Sequence, residues 1–344
     1  MNKISRRQFV YGSAALLLQS RLAWAADKRS IVVGTWGGDF GRLLKDNVDG
    51  PLMAPQGIEV TQSIANAATR RAKLLAERQL RRGSMDVVCL ADFDMFAGFQ
   101  AGALEPITPK HVSRLDKVLP FLKTSYSIPH IYSAHVLVYN TEKVKEKPKS
   151  FADLWDPRYK GRVGLVDALF PTNTVIAAIV GGGSPTNIAP AAAKLRELHA
   201  LRAKVYPSQE ALGIGLKAGE TWIAITAAAR SYMWHKAGIP LAFSVPSEGG
   251  FPATYEAGVP KNASHKAEGY KYLDAMLEPS AQLAFAAKMG YLPCVSDAKL
   301  PPDLDAAIGF TQAEQDRMLK INLDYLTKEH ASILDTWMKI FFKA

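Results

Sequence analysis

The run Ser30-Ile31-Val32-Val33-Gly34-Thr35-Trp36-Gly37-Gly38-Asp39-Phe40 holds the first decision about the fold. Its first six residues are apolar or small and of strand length, the pattern of a strand buried on both faces. Trp36-Gly37-Gly38 makes the turn out of it, and Phe40, Leu43 and Leu44 then recur at helical spacing. A buried strand that leads straight into a helix is how a parallel α/β unit begins. The alternation continues downstream. Residues 58–64 read as a strand, 69–82 as a helix, 85–90 as a strand and 93–101 as a helix. In the helix 69–82, Ala72, Leu75, Ala76 and Leu80 form the expected apolar face. Arg70, Arg71, Lys73, Arg78, Arg81 and Arg82 form the expected basic, solvated one. Three strands linked by helices make a mainly parallel sheet with right-handed crossovers.

A second block repeats this logic. Strands are expected at 162–166, 204–206, 222–226 and 241–245, with helices at 171–180, 190–200, 208–217 and 227–237 between them. A strand at 254–259, two helices at 265–277 and 279–288, and a helical stretch from Thr311 onward complete the chain. The blocks meet at the β-rich run 135–139, with no loose Gly/Ser linker. Two α/β lobes joined by extended strands predict a hinge and a cleft. The expected first lobe is 26–135 plus 251–300, and the second is 136–250 plus 301–344. With 344 residues, the chain is long enough for two domains with sizeable cores.

Composition sets the function classes that remain. The chain is 48% hydrophobic and 22% charged, with a mean hydropathy of −0.04, which does not describe a chain that spans a membrane many times. The formal charge is +10, and four of the basic residues (Lys3, Arg6, Arg7, Arg21) fall within residues 1–25, which contain no acid. This segment has a Ser5-Arg6-Arg7-Gln8-Phe9-Val10 start, a short apolar run and an Ala23-Trp24-Ala25 end. Those are the parts of a cleavable twin-arginine export signal. The apolar run falls well short of the roughly 20 residues that span a bilayer. In an oxidising compartment the two cysteines, Cys89 and Cys294, either pair or stay as buried thiols.

Catalytic patterns are scarce. Seven histidines form no His-x-x-x-His or His-Glu pair, which leaves a zinc site without support. Gly181-Gly182-Gly183-Ser184-Pro185 lacks the Lys of a phosphate loop and the spacing of a nucleophile elbow, and reads as a helix end entering a loop. No aromatic residues interleave the basic stretch 70–82, so nucleic acid is not expected as a partner. The polar and aromatic residues gather instead at the carboxyl ends of strands, where open α/β sheets bind ligands. Trp36, Gly37, Gly38 and Asp39 follow the first strand, Asp92 and Phe93 the third, Asp167 the first strand of the second block, and Arg230 comes shortly after the strand at 222–226. An aromatic face beside carboxylates and an Arg suits a small polar solute.

The export signal, the strand-Trp-Gly-Gly turn, Asp86-Val87-Val88, Glu105-Pro106-Ile107 and the segment from Phe151 to Val163 (F-A-D-L-W-D-P-R-Y-K-G-R-V) together resemble the periplasmic solute-binding proteins of ABC importers. Pro246-Ser247-Glu248-Gly249-Gly250 and Gly290-Tyr291-Leu292-Pro293 extend the likeness, which is to the spermidine/putrescine-binding subgroup. The resemblance implies the two-lobed periplasmic-binding-protein fold of type II, each lobe a mainly parallel sheet flanked by helices, with two hinge crossovers. It implies a monomer without catalysis, cofactor or metal, which delivers its solute to a membrane permease and an ATPase. For the site it implies Trp36, Asp167 and Tyr291, with Phe93, Tyr255 and Glu256 at neighbouring family positions. The family's aromatics after the strand at 222–226 and beyond Gly250 are Ala227 and Ala253 here, and Ala91 stands where the family has a hydroxyl. Arg230 then suits an anionic group, and the expected solute is a zwitterionic amine, an amino-acid derivative or a polyamine-like compound. Two other classes fit the same residues. One is an exported hydrolase using Asp39, Asp92 or Asp167 with a His. The other is a metal or iron carrier using Tyr255, Tyr291 and Asp167.

Overall fold

In the computed structural model, which describes residues 29–343, the opening run is strand β1, Arg29–Thr35. The export-signal reading of residues 1–25 lies outside the described residues. β1 pairs in parallel with β2 (Ile58–Ile64) on one side and β3 (Val87–Ala91) on the other. Ile31 and Val33 are almost fully buried between the helices covering the two faces, as a central parallel strand requires.

The joint between the blocks is β4, Ile128–Asn140. From Ile128 to His135 it runs antiparallel to β9 (Phe251–Gly258), which also pairs with β3. From His135 to Tyr139 it pairs with β7 (Ile223–Ala227), and over Leu137–Asn140 with β8 (Leu241–Ser244). β7 continues in parallel to β5 (Val163–Val166) and on to β6 (Lys204–Tyr206). The short β10 (Leu292–Pro293) pairs antiparallel with Ile131 and Tyr132 of β4, on the edge opposite β9. One path, β2-β1-β3-β9-β4-β7-β5-β6, therefore runs through both lobes. This is the expected α/β architecture, except that the parallel strands of the two blocks are joined through the antiparallel strands β9 and β4 into one continuous sheet.

The two largest hydrophobic clusters are separate. Val33, Leu44, Tyr272 and Phe285 anchor the first, while Phe151, Leu154, Leu165 and Trp337 anchor the second. The segment 151–155 is a short 3-10 turn whose Ser150 caps it through Ala152 N–H, and Trp155 Nε1–H reaches the carbonyl of Lys194 at 2.9 Å. The terminal helix Leu323–Phe341 packs on the helices Phe170–Val180 and Ala191–Ala200 of the second block. Its first turn also touches the opposite lobe, where Gln100 donates to Asp324 Oδ1 at 2.7 Å.

One expectation changes. The helix read over 69–82 is Ala67–Glu77, and its buried residues are Arg70 and Leu74. Ala72 and Ala76 are exposed, and Leu80 is 56% exposed beyond the helix end. The helix is rotated because Arg70 turns inward to bond strand carbonyls, which hydrophobic spacing does not record. The cysteine question is settled as well: Cys89 and Cys294 are both buried free thiols. Native protein should therefore not react with a thiol reagent, while unfolding without reductant should release both thiols. Release of neither would show that they are bridged.

Candidate functional site

Thr35 ends β1, and the chain turns through Trp36 and Gly37 into the helix Gly38–Leu44. Gly38 takes φ +62°, a left-handed conformation that a side chain would strain, so its part is to make the turn. The turn leaves Trp36 against a cavity of about 560 Å³ with Gly37, Asp39, Phe40, Tyr255 and Tyr291. The rings form a chain. Trp36 meets Phe40 at 4.8 Å and Tyr255 edge-on at 5.3 Å, and Tyr255 meets Tyr291 edge-on at 5.2 Å. Tyr291 directly follows Gly290, which ends the helix Pro279–Met289 at φ +70°. A Cβ there would lie 2.6 Å from the ring of Tyr232.

The opposite wall comes from the second block. The helix Ala228–Lys236 begins directly after β7 and sets Arg230 in its first turn, where Nη1 pairs with Glu210 Oε1 at 3.3 Å. Asp39 is paired with Arg42. The cavity is thus an aromatic and methionine-lined space with a cation and a carboxylate on one side and an acid near its rim.

A second cavity of about 320 Å³ adjoins it, and Arg230, Tyr255 and Tyr291 line both. Asp92 and Phe93, at the end of β3, lie here, as do Ala227 and Ala253. Small residues at those two positions leave this space open. The terminal helix closes its far side, with His330 stacked on Phe93 at 5.3 Å. His135, at the point where β4 changes partners, also lines it, and burial pulls its pKa down to about 4. That ring is neutral at ordinary pH.

Not every carboxylate read from the sequence faces the cleft. Asp167 lines neither cavity and accepts Trp337 Nε1–H at 2.8 Å, which ties the terminal helix to the strand end of β5. Glu256 also lines neither cavity. It neighbours Tyr255 on β9, and successive strand side chains point to opposite faces. It is buried and accepts Ser127 Oγ–H at 2.5 Å. Asp92 borders the second cavity, but its oxygens accept the N–H groups of Phe93 (2.7 Å) and Thr254 (3.3 Å). Asp167 and Glu256, both expected at the site, are thus engaged in bonds away from the two cavities. Of the set Tyr255, Tyr291 and Asp167, the two tyrosines line both cavities and Asp167 lines neither.

Three residues missed in the sequence complete the site. Glu210 and Met233 arrive on helices of the second block, and Arg70 lies behind Trp36 with its guanidinium carbon 4.0 Å from the ring centre. Glu210 had a legible signal, since it sits in the first turn after the Ser208 cap, beyond β6.

Residues 52–312 match the family model described as bacterial extracellular solute-binding protein. The spermidine/putrescine-binding periplasmic protein of Escherichia coli (strain K12) is 24% identical over 306 residues, covering 85% of this chain and 84% of that protein. A GABA receptor structure superposes with a TM-score of 0.78 at 19% identity, covering 92% of this chain and 98% of that one. The binding protein AgtB of A. tumefaciens R10 in complex with agropinic acid gives 0.72 at 22% identity, covering 91% and 98%.

Burial raises the pKa of Glu256 from 4.5 to about 8, with Asp92 adding to it, and burial likewise raises Asp92 to about 6. The fold therefore keeps protons that the unfolded chain has lost. Stability should fall as pH rises from the ordinary carboxyl range towards 8. Glu256→Gln should flatten that fall and raise the Tm at pH 8 by about 2 °C or more. Superimposable pH profiles for the two proteins would contradict the buried carboxyl.

Proposed function

The chain belongs to the bacterial extracellular solute-binding proteins, and from that premise we propose that its cleft captures a small solute carrying both a cationic and an anionic group. The family is not enzymatic, so the hydrolase class falls away; the chain is the periplasmic, substrate-binding component of an ABC importer. The observation that carries the finer reading is the Arg230–Glu210 pair beside the Trp36-Tyr255-Tyr291 rings. A zwitterion meets an opposite charge at each end in such a space. A dication would leave Arg230 facing like charge, and desolvated like charges are costly.

Further support comes from what is absent relative to polyamine binders. By the family resemblance, Ala227 and Ala253 stand where aromatics are expected, and Asp167 and Glu256 are engaged elsewhere. The relatives with similar folds include a GABA receptor and a protein holding agropinic acid, which makes amino acids and their derivatives reasonable solutes to test first. Trp36, Asp39, Phe93, Arg230, Tyr255 and Tyr291 are the proposed contacts, with Asp92 fixing the wall of the second cavity.

Capture proceeds by closure of the lobes, 26–135 with 251–300 against 136–250 with 301–344. A solute that touches both walls binds the closed form better and so shifts the hinge equilibrium. A micromolar Kd corresponds to about −8 kcal/mol, which a few charge-assisted bonds and one aromatic stack can supply. The closed monomer then docks on a permease driven by an ATPase. Residues 1–25 serve as a twin-arginine export signal, and N-terminal sequencing of the exported protein should begin at Ala26 or Asp27. Export that survives Arg6→Lys/Arg7→Lys would rule that route out.

A thermal-shift panel of polyamines, amino-acid derivatives and aminophosphonates tests the solute class, because a tight ligand raises Tm by mass action. Zwitterions should give the larger shifts, and Arg230→Ala should reduce them. Trp36→Ala should weaken binding by about 1–3 kcal/mol, on the scale of an aromatic stack. A panel in which only spermidine or putrescine stabilises the protein, unchanged in Arg230→Ala, would contradict the proposal.

A further inference from the structure

The helix Ala67–Glu77 buries a cation that the solute does not touch directly. Arg70 is 1% exposed and does not line the cavity, whereas Trp36 does. Its Nε–H donates to the carbonyl of Cys89 at 2.9 Å, and Nη1 donates to those of Thr35 at 3.0 Å and Ala65. Nη2 has no hydrogen-bond partner among the described residues. Carbonyls offer dipoles and no net charge. Arg70 forms no ion pair among the described residues, and the nearby Asp94 is taken by Arg71 at 2.8 Å. Burial brings the Arg70 pKa down only to about 10, so the guanidinium keeps its charge at neutral pH.

That charge lies over the indole, 4.0 Å from the ring centre, and Trp36 lines the cavity while Arg70 does not. An aromatic face attracts one cation through its quadrupole. With that place filled by Arg70, the wall offers a second cation little attraction and adds the repulsion of a buried charge. A low-dielectric wall transmits that field across the ring with little screening. We propose that Arg70 sets the charge preference of the Trp36 wall, so that the indole receives a carboxylate or other anionic group of the solute in preference to an ammonium. This rests on the reading of the cleft as the solute site and makes Arg70 a positioning residue for specificity that acts through Trp36.

Collisional quenching of Trp36 fluorescence reads the field directly. Iodide and caesium are compared at constant ionic strength, each scaled to its quenching of free N-acetyltryptophanamide. The signal of the other tryptophans is removed with the Trp36→Phe protein. Iodide should quench Trp36 about threefold or more better than caesium on that scale, as expected beside an unpaired buried cation. The preference should persist in Arg230→Gln, which removes the other cation of the cavity, and in Arg70→Lys, which keeps the charge. It should vanish in Arg70→Met, with folding checked by circular dichroism. If Arg70→Met does not fold, the Arg230→Gln protein decides alone. Equal quenching by the two ions in Arg230→Gln, or an unchanged preference in folded Arg70→Met, would overturn the inference. Failure of every solute in the thermal panel alongside a retained iodide preference would instead count against the solute reading and leave the Arg70 field in place.

Discussion

One buried guanidinium ties together the end of the first sheet. β1, β2 and β3 run in parallel, so all three finish at the same edge, where carbonyl groups run out of ladder partners. Arg70 takes Thr35 at the end of β1, Ala65 just past β2 and Cys89 within β3. Its two donor nitrogens thereby do for three strands what water would do at an exposed edge. Thr35 O also accepts Ala65 N–H at 3.2 Å, so the guanidinium adds a second bond there. Trp36 then lies on the same guanidinium, so the strand ends, the helix Ala67–Glu77 and the aromatic wall are fixed by one side chain.

The second constraint is the pair of crossing strands. β4 gives its first part to β9 and its second part to β7 and β8, so the lobes share backbone and the cleft opens beside that shared region. β9 sends Tyr255 to the cleft and Glu256 to the interior on the other face. The same alternation that builds the aromatic wall therefore withdraws a carboxylate from it. Asp167 is withdrawn by Trp337, and Asp92 is held by two backbone N–H groups. The acids retained at the first cavity, Asp39 and Glu210, each have an arginine partner. A space with balanced pairs suits a solute that brings its own balance of charge.

Much of this was legible in the chain. The strand at 58–64 and the short strand at 204–206 coincide with β2 and β6, and most other elements fall within two residues of their expected bounds. Strong apolar runs between glycine and proline breaks explain that success. The first part of β4 was missed because Pro129, His130 and Ser133 interrupt its apolar pattern. Trp36, Arg230 and Tyr291 were found because strand ends are where ligands bind. Arg70 was misread because a basic residue among basic residues looks solvated, and nothing local shows that three carbonyls will meet it. Its spacing of four from the buried Leu74 was the one available hint. Glu256 could have been excluded by strand parity with Tyr255. Asp167 could not, because its partner Trp337 lies far along the chain.

Native mass spectrometry of the protein purified from its own host is the most direct test of the central claim, that the cleft holds a solute bearing both charges. The account predicts one small molecule per chain, containing an amine and a carboxylate or phosphonate, which is lost on gentle unfolding and from the Trp36→Ala protein. A retained compound with the mass of putrescine or spermidine, still held by Arg230→Ala, would contradict it.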